Sequence, residues 1–101
     1  MYNKRTDMRT DREYTWNEEK SRKLKAERGL AFEDVVAAIE NDRVLADIDH
    51  HQAGRAAHQR ILVVEISGYA CVVPYVEQDM RRFLKTIYHS RAMQKKYVVN
   101  N

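Results

Sequence analysis

The stretch QRILVVEISGYACVVPYVE, residues 59–77, decides the fold because it holds two runs of strand-forming residues joined by a two-residue turn. Both runs are rich in β-branched and aromatic side chains, which favour β-strands. Ser67 and Gly68 separate the runs, and Gly68 supplies the positive φ angle that a tight hairpin turn requires. The sequence therefore predicts an antiparallel hairpin at the centre of the domain.

The tight turn also sets the register of the hairpin. With Ile66 opposite Tyr69, Arg60 falls opposite Tyr75. Because side chains alternate between the two faces of a strand, Arg60 and Tyr75 are predicted to share a face with four apolar residues. Those residues are Leu62, Val64, Cys71 and Val73. Pro74 has no N–H group to donate, so the second strand is predicted to be unpaired on one side or bulged near this residue.

Two helices are predicted before the hairpin. The first spans about residues 17–28, with Asn17 as its N-cap and Gly29 as its stop. The second lies in AFEDVVAAIEN, residues 31–41, where apolar residues recur at the spacing of a helix with one buried stripe. That stripe is Phe32, Val35, Val36 and Ile39. A short strand is predicted at residues 44–48.

The end of the chain predicts one more strand and one more helix. RFLKTIYH, residues 82–89, alternates as a strand does, and Ser90 is placed to cap a final helix. On that helix two pairs of residues share a side: Arg91 with Lys95, and Met93 with Tyr97. The predicted fold class is α+β, with two N-terminal helices and a C-terminal helix packed on a three- or four-stranded, mostly antiparallel sheet.

The length and composition indicate one globular domain. The chain has 101 residues, of which 44% are hydrophobic and 33% charged. Residues 1–13 mix charges without an apolar period, so they are predicted to form a flexible leader before a single domain at residues 14–101. The apolar runs are far too short to span a bilayer and the start is polar, which predicts a cytoplasmic protein without membrane attachment.

Positive charge is concentrated near the C-terminus of the chain. Residues 80–101 contain six bases and no acid, whereas residues 33–49 contain six acids and one base. This distribution favours a polyanionic partner, nucleic acid first and anionic lipid second. A solvated basic face kept for solubility is equally consistent with charge alone. The six bases are Arg81, Arg82, Lys85, Arg91, Lys95 and Lys96.

Several kinds of site are excluded by the sequence. The chain has three glycines and no glycine-rich phosphate motif, which excludes a nucleotide-cradling loop. Cys71 lies inside an apolar run and is predicted to pack as a small hydrophobic residue. Three histidines and two nearby aspartates lack the spacing of metal ligands, so no metal or cofactor is predicted. They are His50, His51, His58, Asp47 and Asp49.

The remaining polar residues form a basic and aromatic set suited to RNA chemistry. Cleaving RNA without a metal requires groups that take up and return a proton and that stabilise negative charge on phosphate. Guanidinium groups grip two phosphate oxygens at once, histidine moves protons near neutral pH, and tyrosine stacks on unpaired bases. The set comprises Arg60, Lys85, His89, Arg91, Lys95, Tyr75, Tyr88 and Tyr97.

Four short motifs follow one another along nearly the whole chain. They are YTWNEEK at residues 14–20, GLAFED at 29–34, QRILVVEI at 59–66 and SRAMQKKY at 90–97. Together they resemble BrnT-type toxins of bacterial type II toxin-antitoxin systems. The chain departs from the family at Arg28, where many members have a histidine, and at Lys85, which takes the approximate place of a strand arginine.

The resemblance implies a RelE-like fold and a growth-inhibiting, metal-independent endoribonuclease that acts on cellular RNA. It also implies a small cognate antitoxin of the ribbon-helix-helix type, through which alone the chain would bind operator DNA. By position, Arg60 and Arg91 are the best matches to the family's basic residues, with Ser90 and Tyr97 beside them.

Two hypotheses for the function follow. In the first, Arg60 and Arg91 hold the scissile phosphate, Lys85 adds charge, and His89 or His58 carries protons. In the second, the chain is a non-catalytic relative that binds RNA or protein in a regulatory complex. The predicted catalytic residues are Arg60, Arg91, Lys85, His89 and Tyr97, and the predicted RNA-binding residues are Lys95, Lys96, Tyr75 and Arg82.

Overall fold

The structure, a computed structural model, describes residues 2–7, 12–49 and 59–98 of the chain. In chain order the strands and helices are β1 (Tyr2–Asp7), β2 (Arg12–Asn17), α1 (Glu18–Arg28), α2 (Phe32–Glu40), β3 (Val44–Asp49), β4 (Gln59–Ile66), β5 (Tyr69–Gln78), β6 (Arg81–Leu84), β7 (Tyr88–His89) and α3 (Arg91–Met93). A π-helix over Gln94–Val98 continues α3, and the two together are called the C-terminal helix. No helix within the described ranges is long and apolar enough to cross a membrane.

The central hairpin has the predicted register. Ile66 pairs with Tyr69, and Arg60 pairs with Tyr75. Ser67 and Gly68 both have positive φ angles, of 54° and 81°. A two-residue turn of this kind matches the twist of the strands that it joins. The predicted hairpin between β4 and β5 is therefore confirmed.

The strands form one mostly antiparallel sheet, which confirms the predicted α+β class. Its order over the described ranges is β1-β2-β6-β5-β4-β3, with β7 also paired to β5, for seven strands in all. Among the strands that the structure describes, only the β2–β6 pair is parallel. The prediction of three or four strands was too low, because β1 lies in the predicted leader and because the run at residues 82–89 is divided between β6 and β7.

The first strand lies within residues 1–13, the segment predicted to be a flexible leader. β1 pairs with β2 from Tyr2 opposite Asn17 to Asp7 opposite Arg12. β1 is an edge strand, so backbone hydrogen bonds to one neighbour can order it without the apolar alternation that marks a half-buried strand. Residues 1 and 8–11 of the predicted leader lie outside the described ranges.

Pro74 explains why the run at residues 82–89 is divided. β6 pairs with residues 75–78 of β5, and β7 pairs with residues 71 and 72. Pro74 lies between the two pairings and has no N–H group for the neighbouring strand, although its carbonyl accepts a hydrogen bond from the Lys85 N–H at 2.9 Å. The predicted loss of pairing at Pro74 is confirmed, and residues 85–87 form a link, without strand pairing, between β6 and β7.

The first helix begins and ends at its predicted caps. The Asn17 side chain accepts a hydrogen bond from the Lys20 N–H at 3.0 Å. Gly29 takes a left-handed conformation with φ 73°, and its N–H donates to the Lys25 carbonyl. Both caps satisfy backbone groups that the helix itself leaves unpaired.

The second helix buries its predicted stripe, and two side chains cap its first turn. The Asp34 carboxylate accepts a hydrogen bond from the Ala31 N–H at 2.9 Å. The buried Ser21 hydroxyl accepts one from the Phe32 N–H at 3.0 Å and so ties α1 to α2. The whole stripe is 4% exposed or less: Phe32, Val35, Val36 and Ile39.

The sheet has an apolar cluster on each face. On the face called the helix face, α1 and α2 pack with Trp16 against Leu62, Val64, Cys71 and Val73. On the opposite face, called the back face, the C-terminal helix packs through Met93, Tyr97 and Val98 against Val63, Ala70 and Val72. The predicted packing of Met93 and Tyr97 is confirmed, and the C-terminal helix lies on the opposite face to the N-terminal helices.

The start of the C-terminal helix closes part of the edge of β5. The Ser90 hydroxyl accepts a hydrogen bond from the Met93 N–H at 3.2 Å, which confirms the predicted cap. The Gln94 side chain accepts from the Ala70 N–H at 2.7 Å and donates to the Gly68 carbonyl at 3.4 Å. These bonds satisfy the N–H of Ala70 in β5 and the carbonyl of Gly68 in the turn before it.

Replacing Gly29 by alanine should lower the free energy of unfolding by about 1 kcal/mol, because a Cβ atom strains a left-handed backbone. Apart from Gly29, its chain neighbours and the adjoining helix backbone, no atom of the described residues lies within 4 Å of the position that this Cβ would take, so a steric clash adds nothing. Gly29→Asn is the matched control, since asparagine tolerates this conformation better. Urea unfolding should rank wild type above Asn above Ala, and equal losses in the two variants would contradict the assigned cause.

Candidate functional site

A group of charged side chains lies on the helix face near the start of β4, and we call it the ion cluster. Strand register assembles it, because β3 sets Asp49 opposite Arg60 and β5 sets Glu77 opposite Arg82. Three acids and three bases therefore meet at one end of the sheet. The members are Arg12, Arg60, Arg82, Asp47, Asp49 and Glu77.

Asp47 is the centre of the ion cluster. One carboxylate oxygen accepts hydrogen bonds from the Tyr75 hydroxyl at 2.6 Å and from Arg60 Nε at 3.2 Å. The other oxygen accepts from Arg82 Nη2 at 3.2 Å. A single carboxylate on the edge strand β3 thus binds groups from β4, β5 and β6.

Arg82 is buried within the sheet, which corrects its predicted role in RNA binding. Its side chain is 6% exposed, and its guanidinium lies 4.7 Å from the centre of the Tyr75 ring. Its Nη1 also donates to the Tyr14 hydroxyl at 3.4 Å. Tyr75 is fully buried as well, so its ring cannot stack on a base as predicted. Both residues hold the ion cluster together.

Arg60 is committed to partners inside the chain. Besides Asp47, it donates to the Tyr75 hydroxyl at 3.0 Å and to the Asp49 carboxylate. The hydrogen bond that Arg60 donates to the Tyr75 hydroxyl and the charge of Asp47 raise the pKa of Arg60 above its ordinary value. Burial and the bond to Asp47 likewise raise the pKa of Tyr75, so its phenol stays a proton donor. The arginine predicted to hold a phosphate therefore already has anionic ligands.

A second group of polar side chains, called the basic edge, is exposed and follows the edge of β5. It consists of Lys85, Tyr88, His89 and Arg91. Neither Lys85 nor Arg91 forms an ion pair anywhere in the part of the chain that the structure describes. His89 lies edge-on to Tyr69 with the ring centres 5.3 Å apart. In contrast to the ion cluster, this group has positive charge available for a ligand.

The backbone of the basic edge is fixed at several points. The Lys85 N–H donates to the Pro74 carbonyl, and the Ser90 N–H donates to the Ala70 carbonyl at 3.1 Å. Arg28 Nη1 donates to the Ile87 carbonyl at 2.7 Å, and the Ile87 side chain is fully buried. Arg28 thus anchors the link from the side of α1, a contact that could not be predicted from the sequence.

The structure does not bring together the two arginines of the predicted phosphate site, Arg60 and Arg91. Arg60 lies opposite Tyr75, whereas Ser90, the residue before Arg91, bonds to Ala70. These two positions on β5 are five residues, or about 17 Å, apart along the strand. Arg60 also points to the helix face, while α3 packs on the back face. The expectation that Arg60 and Arg91 share one phosphate stays a prediction that these backbone positions do not support.

The other predicted site residues lie on or near the C-terminal helix. Lys95 and Lys96 are exposed, and the Lys96 ammonium lies 5.4 Å from the centre of the Tyr97 ring. Tyr97 is half-buried against the back face, where it has a packing role. His58, the alternative proton carrier, lies outside the described residues, as do His50 and His51.

An open hollow of about 470 Å³ lies beside the basic edge and was not predicted. Four separate parts of the chain form it, namely the start of α1, the middle of β5, β6 and the link, so no local sequence pattern marks it. Its lining residues are Asn17, Lys20, Pro74, Phe83, Leu84, Lys85 and Thr86. Among the residues that the structure describes, no group of three or more metal-ligating side chains could hold a metal ion.

Comparisons with known proteins identify no relative of the chain. No model of a protein family matches it, and neither a curated protein nor a solved structure matches it at a significant level. The resemblance to BrnT-type toxins therefore depends on the four motifs alone.

Replacing Asp47 by asparagine should destabilise the fold by about 3 kcal/mol, because it removes the nearer of the two carboxylates that pair with the buried guanidinium of Arg82. Asp49→Asn is the matched control. The Asp49 side chain is 56% exposed, so the loss should stay below about 1 kcal/mol. Chemical unfolding at neutral pH measures both changes, and a larger loss for Asp49 would contradict the central place of Asp47.

Cys71 provides a test at alkaline pH. Burial, with a smaller contribution from Asp34, raises the pKa of its thiol to about 11 from an ordinary 9.0. The unfolded chain therefore loses this proton first, and the thiol's contribution to stability is lost between about pH 9 and 11. Cys71→Ala should be less stable than wild type at pH 8, and the difference should shrink towards pH 11. A difference that stays constant would contradict the raised pKa.

Proposed function

We propose that the chain is the toxin component of a type II toxin-antitoxin system, with a RelE-like fold and metal-independent endoribonuclease activity. The four ordered motifs support the family, and the α+β fold with a mostly antiparallel sheet is consistent with it. The observation that carries the activity is the basic edge, where Lys85 and Arg91 are exposed on a backbone held by hydrogen bonds.

The chemistry of the basic edge suits a phosphodiester. Arg91 holds the oxygens of the scissile phosphate, and Lys85 holds a neighbouring phosphate of the same strand. His89 lies between these two residues in the chain and takes the proton from the ribose 2′-hydroxyl. The 2′-oxygen then bonds to phosphorus as the bond to the 5′-oxygen breaks. The products are a 2′,3′-cyclic phosphate and a 5′-hydroxyl, whose proton comes from the imidazolium or from water.

The site proposed for catalysis therefore moves from Arg60 to the basic edge. Arg60 stabilises the fold through Asp47 and Asp49, and Tyr97 packs on the back face. Lys95 and Lys96 extend the exposed positive charge along the C-terminal helix, where they favour binding of the RNA backbone.

The partner in this proposal is a cognate antitoxin of the ribbon-helix-helix type in the cytoplasm. Such a partner would neutralise the toxin by covering the basic edge, and negative charge on its docking segment would match the exposed bases there. Operator DNA would be bound only through the antitoxin.

One observation favours a second candidate, a non-catalytic relative that binds RNA or protein in a regulatory complex. Arg60 is the best positional match to the family's central arginine, yet its guanidinium is bonded to Asp47, Asp49 and Tyr75. A chain whose central arginine stabilises the fold could bind RNA or protein without cleaving RNA.

Production of the free chain in a bacterial host should stop growth and fragment RNA, and co-production of the product of the neighbouring gene should prevent both effects. Arg91→Ala should lower the cleavage rate of the purified chain by roughly 100-fold or more, since it removes charge from the transition state. His89→Ala should also impair cleavage. Arg43→Ala is the matched control, because it removes the same charge from an exposed residue just before β3, and it should leave the rate unchanged.

Absence of both growth arrest and RNA fragments would leave only the non-catalytic candidate. Full activity in Arg91→Ala and His89→Ala, with folding verified by circular dichroism, would overturn the assignment of the site to the basic edge.

A further inference from the structure

We propose that the hollow beside the basic edge is a subsite for one unpaired nucleotide of the RNA. The inference depends on the proposed function for the identity of the polymer, but the hollow and its lining residues are independent of catalysis. Its volume of about 470 Å³ lies within the range of small-ligand pockets.

The walls of the hollow are held in place without a ligand. The Asn17 side chain accepts a hydrogen bond from the Lys20 N–H and fixes the first turn of α1. The Pro74 carbonyl accepts one from the Lys85 N–H and fixes the start of the link. Phe83 lies on β6, which is paired with strands on both sides. A preformed hollow costs little ordering on binding, which favours affinity.

The apolar lining suits a nucleobase. Phe83 offers an aromatic ring and Pro74 a saturated ring, and both are half-buried and so partly open to solvent. Aromatic side chains bind unpaired bases by stacking, whatever the base. A base inside a duplex already stacks on its neighbours, so the hollow selects single-stranded RNA.

The charged rim suits the phosphates on either side of that base. Lys20 and Lys85 come from different elements, and both are exposed. Neither of them forms an ion pair within the described ranges. A more open hollow next to Lys20, lined also by Glu19, Arg22 and Lys23, extends the exposed polar surface along α1. The RNA backbone can therefore follow this rim in one direction and the basic edge in the other.

Two polar side chains in the hollow can contact the edge of the base. Asn17 uses its side-chain oxygen to cap α1, which leaves its amide nitrogen as a donor. Thr86 supplies a hydroxyl that both donates and accepts. The combination of a stacking surface, two cations and these groups fits a nucleotide better than a lipid headgroup, which has no planar ring to stack.

The hollow also has a defined position relative to the proposed chemistry, because Lys85 belongs to both. Pro74 borders the hollow, and His89 pairs with Cys71 three residues along β5, or about 10 Å away. The nucleotide in the subsite is therefore a near neighbour of the scissile phosphate on the same strand, so its fit would affect where the RNA is cut.

The test measures binding of a short 2′-O-methyl RNA, which cannot be cleaved, by fluorescence anisotropy. Lys20→Ala and Phe83→Leu should each weaken binding by about 5-fold or more, whereas Arg43→Ala should not change it. Removal of one base from the centre of the oligonucleotide should weaken binding to wild type and abolish the effect of Phe83→Leu. Lys20 is exposed, so its variant tests the subsite even if Phe83→Leu fails to fold.

The possible outcomes separate the subsite from the enzyme. Weakened binding in both variants of a chain that cuts no RNA would support the subsite and refute the ribonuclease. Cleavage by wild type, with unchanged KM, kcat and cut positions in Lys20→Ala and Phe83→Leu, would refute the subsite alone. Inorganic polyphosphate that competes as well as RNA of equal charge would also overturn it, because the hollow would then bind charge without a base.

Discussion

The turn at Ser67 and Gly68 sets the face that every residue of β4 and β5 occupies. Because strand side chains alternate, a slip of one residue in this register would exchange the two faces. Leu62 and Val64 would then leave the cluster under α1 and α2, and Val63 would leave the cluster under the C-terminal helix. The same register sets Arg60 beside Tyr75, so the charged end of the sheet depends on this turn as much as the apolar clusters do.

The basic residues discussed above fall into two classes, those paired with a carboxylate and those exposed to water. Arg82 is buried in the sheet and needs Asp47 beside it, because an unpaired charge out of water costs several kcal/mol. Arg60 shares that carboxylate, so it serves the same network. Lys85 and Arg91 are in water and have no acidic partner in the described part of the chain. At Lys85 and Arg91 a ligand phosphate therefore meets less competition from carboxylates than at Arg60 and Arg82.

The parts of the fold that could be predicted from sequence are those set by neighbouring residues. The hairpin follows from its turn, α1 from the caps at Asn17 and Gly29, and α2 from its apolar stripe. The break in pairing at Pro74 could be predicted because it results from the backbone N–H hydrogen that proline lacks. β1 could not be predicted, since an edge strand can be ordered by backbone bonds that any polar residue makes.

The candidate site was harder to predict because it depends on contacts between distant residues. Nothing near Arg60 in the sequence shows that Asp47, 13 residues earlier in the chain, is its partner. Arg82 and Lys85 are three residues apart and both carry a cationic side chain, yet Arg82 is buried and Lys85 is exposed. Four parts of the chain form the walls of the hollow, so the hollow exists only once the sheet has formed.

The irregular edge strand β3 has a consequence for how copies of the chain behave at high concentration. An open strand edge is a template for pairing with another molecule, and such pairing leads to aggregation. The register of β3 shifts between Val44 and Ala46, and the exposed carboxylate of Asp49 lies near the end of the same strand. A bulge distorts the row of backbone groups, and a charged side chain on an edge strand hinders pairing with a second copy. The strand that supplies Asp47 to the sheet thus also protects the sheet from adding a strand of a second copy.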